Sequence, residues 1–218
     1  RPSLLIKKII KNVKVYFDYN KADLRDDTLE ILESAVSVLN RDARASILVT
    51  GNCDVRGSEA YNEKLGRKRA EAVKEFMLEK GISRERIKII SRGKLDAAAA
   101  VSDVMGMQKD RNAQFMIAEV EEIMIPAPEG GQEPLEIMRE AKPLEEGKYI
   151  IEKEERMESK IKVSFKEYLV KRGQTLWDIA QKELGSGHRW KYLYELNKDK
   201  IKNPNKLKAG IKIIIPVE

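Results

Sequence analysis

Through the first 120 residues the apolar positions switch between two repeats, one of two residues and one of three to four. Val13 to Phe17 alternates and predicts a core strand that stops at Asp18-Tyr19-Asn20, a turn whose short polar side chains can bond their own backbone. Leu29, Leu32, Ala35, Val36 and Leu39 fall at helical spacing and predict a helix from Thr28 to Asn40. Ile47 to Val49 predicts a strand ending at Gly51. Ser58 then serves as N-cap for a proline-free helix reaching Lys80, with Gly81 as its stop. Ile87 to Ile90, and later Phe115, Ile117 and Val120, predict two more strands. Two stretches leave a choice. Leu4, Leu5, Ile6, Ile9 and Ile10, interrupted by Lys7 and Lys8, read as an extra strand or a packed tail. Ala97 to Gln108 reads as a helix or as a loop over the core. The order β-α-β-α-β-β predicts an α+β sandwich with helices on one face of a mixed sheet, over residues 1–120.

From Glu119 to Lys160 the pattern dissolves into thirteen acidic and six basic residues, with Pro126, Pro128, Pro134, Pro143 and a Gly130-Gly131 pair. That is the composition of an extended connector, placed at 121–165, although Tyr149, Ile150, Ile151, Ile161, Val163 and Phe165 would also suit a hairpin. Order returns over 166–218. Tyr168 to Lys171 predicts a strand, Gly173 a turn, and Thr175 an N-cap before Leu176, Ile179 and Ala180. A second helix carries Trp190, Leu193, Tyr194 and Leu196. Asn203-Pro204-Asn205 breaks the chain before a closing strand at Ile211 to Ile215, giving a small βααβ unit. In so small a unit Trp177 and Trp190 are expected in the core rather than stacked on a ligand.

Charge narrows the function classes. The 218 residues carry a net +6, with basic ends flanking the acidic middle. Nucleic acid is not expected as a partner, because no aromatic residues are interleaved with the basic ones at a recognised spacing. No apolar run approaches the roughly 20 residues of a membrane span; contact with a membrane is expected only through a segment upstream of Arg1. Cys53 is the single cysteine and His188 the single histidine. No nucleophile–base pair, paired carboxylates or metal-ligand cluster is recognisable, so neither catalysis nor a cofactor or metal is expected.

One constellation carries chemistry. Asp54 sits in the turn after a strand, and Arg69 interrupts the stripe Tyr61, Leu65, Val73, Phe76 and Met77 on the following helix. A buried guanidinium costs several kcal/mol unless something meets it. Either Arg69 snorkels over the rim of the core or pairs with Asp54 simply to close the loop, or it and Asp54 together take a zwitterion, the aspartate holding an ammonium and the arginine a carboxylate.

At these residues the sequence resembles the OmpA-like peptidoglycan-binding domain. The likeness rests on VYFDYNKADL (15–24), TGNCDVRGSEAYNEKLGRKRAEAV (50–73), GIS (81–83) and KDRNAQFMI (109–117). The resemblance implies that Asp54 and Arg69 grip the amino and carboxylate ends of diaminopimelate in the stem peptide of the cell wall. It implies also that Asn62, Leu65, the turn residues Asp18 and Tyr19, and Arg111 complete the pocket. Two departures stand out: Gly51-Asn52-Cys53-Asp54 replaces the usual Gly-His-Thr-Asp, and Asn112 follows Arg111 where the family has a second arginine.

The last unit resembles the LysM domain, on Tyr168, Val170, Gly173, Thr175, Leu176, Trp177, Ile179, Ala180, Asn197, Asn203, Pro204, Leu207, Gly210 and Ile215-Pro216. That likeness implies an N-acetylglucosamine groove between Gly173, Gln174, Thr175 and Leu176 on one side and Asn203, Pro204, Asn205 and Leu207 on the other. Two unrelated modules would then address one polymer, the stem peptide and the glycan strand of peptidoglycan. The expectation is a non-catalytic periplasmic tether that holds an outer-membrane or other envelope protein to the wall. The alternative is a wall-targeted accessory or hydrolase protein whose catalytic part lies outside this sequence.

Overall fold

The computed structural model describes residues 2–126 and 136–217. A single long strand, β1 (Ser3–Tyr16), is hydrogen-bonded along both edges, so the apolar lead-in and the first core strand are one element. On one side β1 pairs antiparallel with β4 (Asn112–Ile125), from Ser3 opposite Ile125 to Tyr16 opposite Asn112. β2 (Ile47–Asn52) and β3 (Ile87–Gly93) extend the sheet beyond β4.

The alternation along these strands puts Val13, Val15, Val49, Phe115 and Ile117 on one face. There they pack with Leu32, Ala35 and Leu39 of α1 (Asp26–Arg41) and with Ala70, Val73 and Met77 of α2 (Glu59–Glu79). Each such side chain contributes about 1.5–3 kcal/mol when fully buried, which fixes the register against a one-residue slip. Leu48 and Met116 point the other way and stay exposed. The fold is thus α+β, with a mixed sheet and its helices on one face.

Ser58 caps α2 by accepting from the Tyr61 amide, and Gly81 follows the helix at a φ of +89°. The buried stripe of α2 is Asn62, Gly66, Arg69, Ala70, Val73 and Met77, whereas Tyr61 lies at its edge and is exposed. Gly51 and Gly66 bring β2 and α2 into backbone contact: a Cβ on Gly51 would stand 1.8 Å from the Gly66 carbonyl oxygen. Only glycine permits this approach, and it draws the loop after β2 down onto the helix. The ambiguous stretch splits. Residues 97–102 are a loop whose Ala98 and Ala99 amides donate to the Asp110 carboxylate, and α3 (Val104–Asp110) is a short helix capped by Asp103.

The expectation of an extended connector over 121–165 is overturned for most of its length. β4 continues to Ile125; β5 (Lys142–Glu145) and β6 (Lys148–Glu158) form a hairpin that adds to the sheet, giving the order β3-β2-β4-β1-β6-β5. β6 runs parallel to β1, Leu4 opposite Lys148 and Lys14 opposite Glu158. Complementary charge and a small apolar cluster accompany this pairing. β1 carries Lys7, Lys8, Lys11 and Lys14, and it lies between two acidic strands: Lys8 meets Glu152 at 3.2 Å and Lys11 meets Glu119 at 3.1 Å. Tyr149 and Ile151 pack with Leu5, Ile123 and Ile125 in a separate apolar cluster. Pro128, Pro134 and Gly130-Gly131 lie outside the described residues.

The chain beyond β6 is held just as firmly. The Ser159 amide donates to the Lys14 carbonyl, and its hydroxyl accepts from the Tyr16 amide and meets Thr28 Oγ1 at 3.1 Å. Arg25 donates to the Lys160 carbonyl, and Asp27 accepts from the Lys160 amide at 2.9 Å and pairs with Lys162 at 3.2 Å. Gln108, buried on α3, accepts from the amides of Lys162 and Val163. The C-terminal unit begins directly afterwards: β7 (Ser164–Leu169), α4 (Leu176–Leu184), a 3-10 turn (Gly187–Arg189), α5 (Trp190–Leu196) and β8 (Lys212–Val217), with β7 and β8 antiparallel. Its core is Val170, Leu176, Ile179, Ala180, Leu193, Ile201, Ile213 and Ile215.

Candidate functional site

The loop after β2 is shaped from below. The Asn62 side chain, on the first turns of α2, donates to the Arg56 carbonyl at 2.7 Å, and the Cys53 thiol donates to the Asn62 carbonyl at 3.4 Å. Burial pushes that thiol up to about 11. Asp54 is held inside the loop, 4% exposed. Its Oδ1 accepts from the Arg56 amide at 3.0 Å and Nε at 3.1 Å; its Oδ2 accepts from Arg56 Nη2 at 2.6 Å and Arg111 Nη1 at 3.1 Å. Burial works to raise its pKa. The Arg56 hydrogen bond, with the charges of Arg56 and Arg111, outweighs that and leaves it below the usual aspartate value.

Arg69 is wholly buried but does not pair with Asp54. Its Nε donates to the Lys21 carbonyl at 2.9 Å, Nη1 to the Asn52 carbonyl at 2.8 Å and Nη2 to the Asp18 carbonyl at 3.4 Å, with its guanidinium 5.2 Å from the centre of the Phe17 ring. It ties the turn after β1 to the end of β2, and desolvation lowers its pKa to about 10. The cation that meets Asp54 from the sheet is Arg111. Arg111 Nε donates to the Phe17 carbonyl at 3.1 Å, and among the described residues its Nη2 has no acceptor.

Asp54, Arg69, Arg111, Tyr19, Asn62 and Leu65 line one cavity of about 50 Å³. Asp18 does not: its carboxylate turns toward Arg25, 3.9 Å away. Arg56 and Tyr61 join the lining, and neither was singled out from the sequence for the pocket. The signal for Arg56 was its place two residues after Asp54, within reach of that carboxylate.

The two departures from the family pattern touch each other. Asn52 Nδ2 donates to Asn112 Oδ1 at 2.9 Å, and Asn112 Nδ2 donates to the Lys109 carbonyl at 2.7 Å. Both side chains are buried. The pair replaces a histidine and an arginine with one neutral hydrogen bond beside the pocket.

The OmpA family profile matches residues 16–111, and the LysM domain profile matches residues 168–216. The chain carries an OmpA-family domain followed by a LysM domain. It is 35% identical over 99 residues to the peptidoglycan-associated lipoprotein of Haemophilus influenzae, covering 45% of this chain and 65% of that one. To outer membrane protein A of Bordetella avium it is 30% identical over 117 residues, covering 54% and 60%. The chain thus spans 60–65% of these curated relatives. Among solved structures, the peptidoglycan-associated lipoprotein of Burkholderia pseudomallei aligns at 30% identity over 50% of this chain and 89% of that one, with a TM-score of 0.45.

In the LysM domain the two turns named from the sequence border the same small core, through Leu176 and Leu207. Leu176 is buried, so its side chain packs inward; Gly173, Thr175, Asn203 and Asn205 are exposed. Gln174 accepts from the Lys171 amide at 2.8 Å, Thr175 forms a capping box with Asp178, and Asn203 accepts from the Asn205 amide at 2.9 Å. Trp190 packs against the core as expected. Trp177 does not: it is 43% exposed, lies edge-on to His188, and its ring rests against Gly187 where a Cβ would clash.

The LysM domain also reaches the OmpA-family pocket, which no sequence pattern indicated. The Arg56 guanidinium lies between Tyr19 at 4.1 Å and Tyr192 of α5 at 4.5 Å, and Arg189 stacks on Tyr19 at 3.9 Å. Beside this stack, Tyr192 and Leu196 pack against Val104 and Met107 of α3.

Proposed function

We propose that this chain is a non-catalytic peptidoglycan tether of the bacterial periplasm. Its OmpA-family domain takes the diaminopimelate end of a stem peptide, and its LysM domain takes N-acetylglucosamine of the glycan strand. The observation that carries the first half is one hollow lined by a buried carboxylate, Asp54, and a buried guanidinium, Arg111, with an N–H group lacking an acceptor. A ligand bearing ammonium and carboxylate at one end matches both, the charge-assisted bonds being the strong ones. Arg69, Asn62 and Leu65 support this reading by shaping the walls, and Tyr19 by flanking the opening. For the second half, the exposed turns at Gly173–Thr175 and Asn203–Asn205 offer backbone and side-chain polar groups to an acetamido sugar. The names of the relatives, an outer membrane protein and peptidoglycan-associated lipoproteins, support an envelope partner at the other end of the tether.

Calorimetric titration of the full chain with a synthetic stem tripeptide ending in diaminopimelate tests the site. Asp54→Asn and Arg111→Gln each weaken binding at least about tenfold, in line with the roughly 1.5–3 kcal/mol of a charged hydrogen bond, while the thermal transition persists. Parental affinity in the double variant sinks the assignment.

A further inference from the structure

The carboxylate of the pocket is engaged as it stands. An ionised carboxylate has about four acceptor positions, and all four on Asp54 are taken, three by Arg56 and one by Arg111. The hollow beside it is narrow, about 50 Å³, room for a few waters at roughly 10–15 Å³ apiece, and among the described residues it offers no second carboxylate. An incoming ammonium must therefore displace the Arg56 side chain from Asp54. Arg56 is held there with the help of the LysM domain: its guanidinium lies over the rings of both Tyr19 and Tyr192, and Arg189 lies over the Tyr19 ring as well. Tyr192 is anchored in turn by the apolar contact of α5 with Val104 and Met107.

We propose that the LysM domain is an intramolecular competitor for the stem-peptide pocket. Docking of α5 keeps Arg56 on Asp54, and stem-peptide capture releases Arg56, Tyr192 and with them the whole LysM domain. The inference rests on the stem-peptide reading given above. The hinge lies at Val163–Ser164, where the pinned segment ends and β7 begins. Because the domains share a chain, docking is an intramolecular event with an effective concentration in the millimolar range for a short tether, so a modest interface suffices to keep Arg56 on Asp54. Wall contact at one module then frees the other, and the second contact follows only where wall is present.

The test compares the full chain with Tyr192→Ala and Arg189→Ala, using the same stem tripeptide as probe and small-angle scattering as the second readout. With the docked state favoured about tenfold, undocking raises the apparent affinity about tenfold. Both variants bind the probe more tightly and scatter as more extended particles, and saturating probe extends the parent likewise. A variant that scatters as extended yet binds at parental strength or more weakly overturns the competition, since the LysM side chains would then be bystanders or part of the site. A parent that binds the probe and stays compact overturns it as well, even if either variant fails to fold. Absence of probe binding in parent and folded variants alike overturns the stem-peptide reading itself, and the competition with it.

Discussion

Arg69 shows why a residue can be singled out correctly from a sequence while its partners stay hidden. Its isolation on an apolar stripe was legible, and so was the cost of burying it without compensation. Its acceptors were not, because they are backbone carbonyls of Asp18, Lys21 and Asn52, and carbonyls leave no trace in residue identity. The Asn52–Asn112 contact was hidden for another reason: the two are 60 positions apart, and each reads alone as a departure. Replacing one strands the other in a buried place. Asn112→Ala is therefore expected to cost about 1–3 kcal/mol, read from urea denaturation, and Asn52→Ala added to it costs little more. Additive losses would mean that the two side chains act independently.

Among the elements, α1, α2 and the strands that face them follow from periodicity, because each has one buried face and one wet one. β6 was missed. Its sequence, KYIIEKEERME, alternates weakly and is charged enough to pass for a connector, since what holds it, the backbone of β1, the Lys8 ion pair and the apolar cluster around Leu5, lies elsewhere in the chain. Exposed cross-strand pairs contribute only about 0.2–1 kcal/mol each, so the apolar anchor should matter more than any single pair. Ile151 is 4% exposed in its cluster. Ile151→Asp buries a carboxylate without a partner and should lower stability by more than about 2 kcal/mol, whereas Glu152→Lys should change it by under about 1 kcal/mol. Thermal melts of both check the contrast.

For the whole molecule, the two domains could be separated by sequence, but their contact could not, because Tyr192, Val104 and Tyr19 belong to different repeats and meet only through the fold. The α1 carboxylate that pins the segment between them, Asp27, titrates. Hydrogen bonding from Arg25, chiefly, with the Lys160 amide and Lys162, holds Asp27 well below the usual carboxylate range despite partial burial. A group whose folded pKa is depressed stabilises fully above its unfolded value, about 3.9 for aspartate, and loses that contribution as pH falls toward the folded value. Asp54 shifts in the same direction. Hydrogen exchange at the Lys160 amide is therefore expected to accelerate, relative to the intrinsic rate, below about pH 4 and to stay protected at neutral pH. Asp27→Asn should abolish that acid dependence.

The parallel return of β6 has a mechanical side. β1 starts at Ser3, and its far end, some 13 steps of about 3.3 Å along, leads into the Asp18–Tyr19 turn at the pocket. A load entering at Ser3 and leaving through a captured ligand pulls along the strand axis, so β1 must slide past β4 and β6 together, against both ladders at once. Nothing peels. The strand that organises the sheet is placed like a bolt in shear, the arrangement in which a protein under tension yields last.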